Sequence, residues 1–531
     1  MALLLVSGLA VLGTDTGSCA APEKTARKLG SLAPLPMLSA SMNISSEEVQ
    51  HPELSLGTNY LASKITGWRG EIQGVPGDAD RYHELGSLLK LLHRGSEATV
   101  AFSNAATLYR SRAESRPEDG PLQARCADVL QEINRVDEAE HLLREAIRRM
   151  PRDWSCQVEM GQLLLGRSWR AAVGTNVPTW TAPPAGRKLT PADREVAEKN
   201  RVEARRYFER AVELAPDEPR PYLCRVLHRT TEPVFRKAMD QPRGLSPDRP
   251  HDFARSMGSD ENCADMARVA RLSRTNHAAI AYWAWCEALP AMMKAEGGKP
   301  LSFLSSQRRQ NFFEALRMLE ALAKSASKVW AAAAFEMVGV LKAAVEQDAP
   351  AAIAAFRRAV ASDSSRDRAW DCIAGLTVQS GQPADLVDVG QEYRRHSDTP
   401  RAHIVLAKAY DKAGQSDQAL AEALAAVKLD PRDATAQLAT AALLLRRAGA
   451  KDAGQPWKQS LASATRLLDG MEESELRQSL RVNYLLNQAI ALGVDGDPAA
   501  ARKLLRRALE SSGGDDRVQE KADEIGLTLS R

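Results

Sequence analysis

Of the side chains able to do chemistry, His83-Glu84 comes first, opening like the H-E-x-x-H helix in which two imidazoles one turn apart hold zinc and the Glu serves as base. The chain continues Leu85-Gly86-Ser87 and offers no second His four residues on, so no metal site is expected there. The remaining His are scattered. Cys19, Cys126, Cys156, Cys224, Cys263, Cys286 and Cys372 contain no C-x-x-C pair and have no His cluster beside them, which leaves a zinc site unsupported. Cys126 reads as a small apolar residue on the inward face of a helix, and isolated thiols fit a reducing compartment better than a disulfide scaffold. The sequence holds no Gly-rich phosphate loop, no G-x-S-x-G elbow and no paired metal ligands, so neither a cofactor nor an enzymatic reaction is expected.

The elements that carry these residues are helical hairpins, clearest in PRAHIVLAKAYDKAGQSDQALAEALAAVKLDP from Pro400 to Pro431. Leu406, Ala407 and Tyr410 share one face of a first helix, Gly414 marks the turn, and Ala419, Ala423 and Ala426 share one face of a second helix that Pro431 stops. Ala407 and Ala419 let the backbones approach, while Leu406 and Tyr410 project outward and need a neighbour to cover them. The same types recur. Cys126, Ala127 and Leu130 precede Ala139, Leu143, Ala146 and Pro151; Tyr82, Leu85, Gly86 and Leu89 precede Ala98, Phe102 and Ala105; Ala489 and Leu492 precede Ala501, Leu505 and Ala508.

These segments resemble the tetratricopeptide repeat family, whose period is about 34 residues and whose pattern runs W-x2-L-G-x2-Y, A-x3-F, P. The resemblance implies an all-α fold, a right-handed superhelix of roughly nine to ten hairpins that offers a groove to partners, and implies no reaction. Chaperone-binding members of the family clamp a C-terminal carboxylate with Lys and Asn on adjacent first helices. The matching positions here are His83 and Ser87, Ala124 and Asp128, Val158 and Gln162, Leu223 and Leu227, Asp371 and Gly375, and Ile404 and Lys408. Only Lys408 suits a carboxylate, so a heat-shock chaperone tail is not the expected ligand. By resemblance and helical facing, the groove is expected to be lined by His83, Ser87, Asp128, Gln162, Lys408, Asp411 and Lys412 and to take an extended peptide or a helix.

The 531 residues carry 71 basic and 68 acidic side chains. That balance argues against a dedicated nucleic-acid or anionic-membrane binder. Arg pairs such as Arg148-Arg149, Arg205-Arg206, Arg357-Arg358 and Arg394-Arg395 fall mostly on second helices and read as a solvated face balanced by nearby acids. Ala2 to Gly13 is an apolar run of signal-peptide length, followed by small residues Ser18, Ala20 and Ala21, yet no Lys or Arg precedes it. Cytoplasm and export are therefore equally open. The run is too short to span a bilayer, and no integral membrane span is expected elsewhere.

In chain order, residues 1–21 form the candidate signal, and 22–78 read as a linker or poorly ordered arm with one short helix from Leu61 to Ile72. An N-terminal array at 79–245 follows, then a loop at 246–264, a C-terminal array at 265–515 and a capping helix at 516–531. Pro219 to Met239 reads as a fourth hairpin whose second helix is shortened by Pro233 and Pro242, and Asp265 to Lys294 as strongly helical, with Gln307 to Ser325 as its partner helix. The third hairpin holds roughly 31 residues more than the repeat allows. This insertion, 166–198, contains Trp169, Trp180, Arg187 and Lys188, with the two Trp expected to anchor the loop on the array or to meet a partner. Replacement of the usual Ala by Leu386 is expected to splay its hairpin. The expected function is that of a non-catalytic scaffold or adaptor for a protein or peptide. Alternatives are an exported cell-envelope assembly factor and an accessory subunit of an enzyme complex.

Overall fold

The computed structural model describes residues 58–91, 94–173, 190–240, 255–292, 294, 300–325, 327–380, 382–447 and 498–511, with a few residues between 462 and 489. The apolar run at 2–13, the Ser-rich stretch at 39–48, the turn at Gly449 and Gly454 and the final charged helix lie outside the described residues. Every regular element among the described residues is helical. Two compact units are built on Ile44–Met337 and Val338–Arg531.

The first unit runs α1 (Thr58–Gly74), α2 (Ala79–Leu91), α3 (Gly95–Ser115), α4 (Gly120–Glu132), α5 (Val136–Arg149), α6 (Trp154–Val173), α7 (Pro191–Leu214), α8 (Pro219–Asp240), α9 (Asp260–Leu272), α10 (His277–Met292), α11 (Ser306–Ser325) and the start of α12 (Lys328–Leu341). Helices pack as α2 with α3, α4 with α5, α6 with α7, α8 with α9 and α10 with α11. The second unit holds the end of α12, then α13 (Ala349–Ser362), α14 (Asp367–Ser380), α15 (Pro383–His396), α16 (Pro400–Lys412), α17 (Ser416–Leu429), α18 (Ala434–Arg447) and α19 (Pro498–Ser511). From α13 to α18 each helix packs on the next. Ala489, Ala501 and Leu505 form one buried group, the types expected of the last hairpin.

Side-chain volume is traded across each helix crossing. A Cβ placed on Gly86, Gly161 or Gly339 would come within 2.7 Å of the ring of Phe102, Phe208 or Phe356 respectively. Where the first helix carries Ala at that register, as at Ala127 and Ala407, the position of the Phe holds a smaller residue, Leu143 or Ala423, all fully buried. In the α14 and α15 pair the Gly is on the second helix. A Cβ on Gly390 would meet the Leu406 backbone of α16 at 3.0 Å. Burial of each Phe contributes about 2–3 kcal/mol, and only this small-to-large matching lets close-packed crossings keep it.

The turns follow from chain chemistry as well. Asn134 at φ 63° and Gly414 at φ 74° take the left-handed conformation after α4 and α16. In both places an amide three residues past the helix returns to its last turn, Arg135 N to Leu130 O and Gln415 N to Tyr410 O, each 2.8 Å. Asp119 and Thr399 cap α4 and α16 by accepting from the amides of Leu122 and Ala402. After α12 a π turn, Lys342–Glu346, absorbs one more residue before Gln347 turns left-handed at φ 53°.

Five sequence expectations are corrected. The arm at 22–78 ends in an ordered helix, α1, whose Leu61, Ile65, Trp68 and Ile72 form one stripe buried in the core of the first unit. Pro219 to Met239 is no hairpin but part of one helix of 22 residues that passes through Pro233. Proline lacks the amide that would bond the carbonyl of Arg229, and Ser256 Oγ donates to that oxygen instead, at 2.9 Å. Asp265 to Lys294 is two helices, since α9 begins within the expected 246–264 loop and partners α8, and the turn at 273–276 separates it from α10. Both ends of the 166–198 insertion are helical, within α6 and α7. Leu386 does not part its hairpin either: it is buried, and Trp370 of α14 stacks on Tyr393 of α15 at 5.4 Å.

Tyr282, Trp283 and Trp285 of α10 are all buried, because this helix is enclosed on every side. The Arg pairs do face acids: Arg148 and Arg149 meet Glu145, Arg205 meets Glu209, Arg357 meets Glu392 and Arg394 meets Glu422. Such exposed pairs contribute at most about 1 kcal/mol each.

Candidate functional site

In the first unit the expected lining residues are brought into a row by the first helices of successive hairpins. His83 on α2 places Nε2 3.2 Å from Asp128 Oδ2 on α4. Its ring is held edge-on by Phe102 and Tyr109, at 6.0 and 5.9 Å between centroids. Ser87 turns its hydroxyl back to its own helix, donating to His83 O at 3.0 Å. One turn on, Lys90 reaches Glu132 of α4 at 2.7 Å. Gln162 on α6 lies 3.2 Å from Cys224 Sγ on α8, and beside it Glu159 accepts from Arg220 of α8. Arg225 and Arg229 of α8 in turn grip Asp265 of α9. Polar side chains of α2 thus bind those of α4, and those of α6 bind those of α8, so the row is bridged in pairs.

The electrostatics follow from burial and these bridges. Burial disfavours the charged form of His83, but the Asp128 carboxylate outweighs it, and the imidazole pKa lies above its usual value. Burial likewise opposes ionisation of Asp128, and His83, Arg220 and Lys90 overcome it, so that pKa lies below the usual carboxylate range. Glu159 goes the other way. Burial raises it to about 7 with help from the Asp128 charge, despite Arg220, and its Oε2 finds no hydrogen-bond partner. Burial also pushes the Cys126 and Cys224 thiols up to about 11 and Cys263 to about 12, which holds them neutral and poorly nucleophilic.

Lys408, Asp411 and Lys412 belong to the second unit, on α16. Lys408 is half-buried, and burial draws its pKa down to about 8 against the attraction of Asp371. Asp371 is itself bound by Arg401, while Asp367 accepts from Tyr393 Oη at 2.7 Å. Lys412 borders a shallow depression with Pro383, Val387, Asp388, Ala413 and Gln415. His403, which in the sequence merely fills the Trp position of its repeat, is buried between Glu422 at 2.6 Å and Asp398 at 2.9 Å. Of the insertion residues, Trp169 is buried on α6, whereas Trp180, Arg187 and Lys188 lie outside the described residues.

Sequence reasoning missed Glu159, Arg220, Lys90 and Glu132. Each sits one helical step from a position that the resemblance singles out, and opposite charges on neighbouring first helices were the available signal. Among the described residues no group of three or more His, Cys, Asp and Glu could hold a metal ion, and no helix is long and apolar enough to cross a membrane.

The tetratricopeptide repeat family's profile matches residues 400–433, the α16 and α17 hairpin. No curated protein matches the chain. Among solved structures, yeast Tom70 is 14% identical with a TM-score of 0.36, the match covering 88% of this chain and 92% of that one. The Cut9-Hcn1 hetero-tetramer of the APC/C is 12% identical at 0.33, covering 84% and 90%. YrrB, described as a TPR protein with an unusual peptide-binding site, is 14% identical at 0.27, covering 39% and 97%. No residue or ligand is carried over from proteins this dissimilar. The helix pairs along both units make this a helical-repeat protein, in which residues 400–433 form a tetratricopeptide repeat hairpin.

Proposed function

We propose that the protein is a non-catalytic scaffold that engages a protein or peptide along the first helices of its hairpins. The observation that supports this reading is the row His83, Asp128, Glu159, Gln162 and Arg220, polar side chains set on consecutive first helices and bridged in pairs, α2 to α4 and α6 to α8. A surface of paired donors and acceptors at regular spacing suits an extended main chain with polar side groups, which can exchange bonds with it one helix at a time. Lys408, Asp411 and Lys412 supply a second polar stretch in the second unit.

The test is quantitative affinity capture with the full chain and with an Asp128→Asn, Gln162→Ala variant. Loss of a captured partner by about tenfold or more is expected where two central contacts are removed. Retention of every partner at unchanged yield by a variant with unchanged helicity sinks the reading.

A further inference from the structure

The two bridged pairs of the first-helix row are joined to each other by their charges. His83 holds Asp128 on α4 and Arg220 holds Glu159 on α6, and α4 packs against α6. The charges that act on Glu159 are those of Arg220, Asp128 and His83, and those that act on Asp128 include both His83 and Arg220. In chain order the four groups run base, acid, acid, base, one to a helix from α2 to α8.

Neighbouring charges have partners of their own. Lys90 holds Glu132, and Arg225 and Arg229 hold Asp265. Asp137 and Glu140 of α5 are bound by Arg167, two turns further along α6, and Asp153 accepts from Ser155 Oγ and Cys156 N at the start of that helix. Where α7 meets this stretch of α6 it presents Phe208, against Gly161.

Glu159 is 1% exposed, and Arg220 Nη2 donates to its Oε1 while Oε2 is buried without a partner. A carboxylate with one oxygen stripped of water and left unbonded is relieved by a proton. Burial and the Asp128 charge accordingly hold its pKa at about 7, against the pull of Arg220. His83, lowered by burial and raised further by Asp128, takes up its proton above the usual imidazole range. Both uptakes act in the same direction, so the quartet passes from net acidic to net basic as pH falls through neutrality. The Arg220 side chain, which then loses the charge it is paired with, is 43% exposed and within reach of a guest.

We propose that His83, Asp128, Glu159 and Arg220 form a proton-operated latch, in which Glu159 holds Arg220 as a carboxylate and, once protonated, yields it to an acidic side chain of a guest peptide. This rests on the reading of the first helices as the partner-binding face.

The test has two arms, both on the full chain. In the first, the Arg220 Nε–Hε signal of the 15N-labelled protein, assigned by its loss in Arg220→Lys, is followed from about pH 6 to about pH 8.5. It is expected to shift with a midpoint of about 7 and to lose most of that shift in Glu159→Gln, which fixes the uncharged form. In the second, tetramethylrhodamine-labelled hexaglutamate, whose side chains stay ionised over this range, is titrated by fluorescence anisotropy at constant low ionic strength. Its affinity at the lower pH is expected to exceed that at the higher by about threefold or more, and Glu159→Gln is expected to raise the affinity at the higher pH. An Arg220 signal that does not move in the parent, or that moves equally in Glu159→Gln, overturns the latch whether or not the peptide binds, and equal affinities at the two ends of the range overturn it as well. The parent's two pH profiles decide without the variant should it fail to fold. A moving signal with no binding at either pH removes the partner face itself, and the role of the latch with it.

Discussion

Two glycines of α6 test the volume matching at helix crossings, because the same substitution is expected to have opposite signs five residues apart. Gly166 has nothing within 4 Å of an added Cβ, so Gly166→Ala gains helix propensity alone, about 1 kcal/mol of stability. At Gly161 a Cβ would stand 2.5 Å from Cε1 of Phe208. That ring is fully buried and backed by the edge of His228 at 6.0 Å, so it has nowhere to swing. Overpacking a filled core costs about 1–3 kcal/mol, so even after the propensity gain Gly161→Ala is expected to destabilise by up to about 2 kcal/mol. Adding Phe208→Leu copies the Ala127 and Leu143 pairing of the preceding hairpin, and the two changes together are expected to be less harmful than their separate effects by about 1 kcal/mol or more. Urea unfolding followed by circular dichroism gives the stabilities, and native-state amide exchange in α6 and α7 confines the effect to this hairpin. Equal stabilisation by Gly161→Ala and Gly166→Ala, or a Phe208→Leu penalty unchanged by the first substitution, refutes the reasoning.

Gly414 has open space for a side chain but a φ of 74°, so Gly414→Ala is expected to cost about 1–2 kcal/mol of backbone strain. Gly414→Asn should cost less than half of that, as Asn134 adopts φ 63° at the matching turn, and equal penalties in urea unfolding would refute the account. For His228 the folded pKa of about 4 lies below the unfolded 6.5, so the unfolded chain takes up a proton that the folded one refuses. Stability is therefore expected to fall as pH drops from about 6.5 to 4, by roughly 3 kcal/mol from this residue. His228→Gln should flatten that part of the pH profile, and a profile identical to the parent's removes the explanation.

Local rules made the repeat visible before any coordinates: Gly or Ala on the first helix, Phe, Leu or Ala facing it, and Gly414 or Pro431 as punctuation. They worked where a crossing is fixed by residues within one hairpin, as with Gly86 and Phe102. The misreadings arose where a distant residue decides the outcome. Nothing near Pro233 announces that Ser256 will take up the Arg229 carbonyl and let α8 continue. The helix from Leu61 to Ile72 read as part of an arm because its stripe is covered by α2, which lies beyond a Pro-Gly turn. At the candidate site, helical facing placed His83 and Asp128 on neighbouring first helices, and the structure joins them. The part played by Glu159 and Arg220 was hidden, since 61 residues and the insertion separate them in the chain.

The bridged row on the first helices bears on how selective such a surface is. A guest that takes Asp128 must first break its hold on His83, and one that takes Glu159 must win it from Arg220. On the proposed function, recognition there would be substitution, so a guest with the wrong spacing would leave a stranded host charge at each mismatch and be rejected for that reason. Added salt loosens host bridges and guest contacts alike, which makes affinity less sensitive to ionic strength than the number of charges suggests.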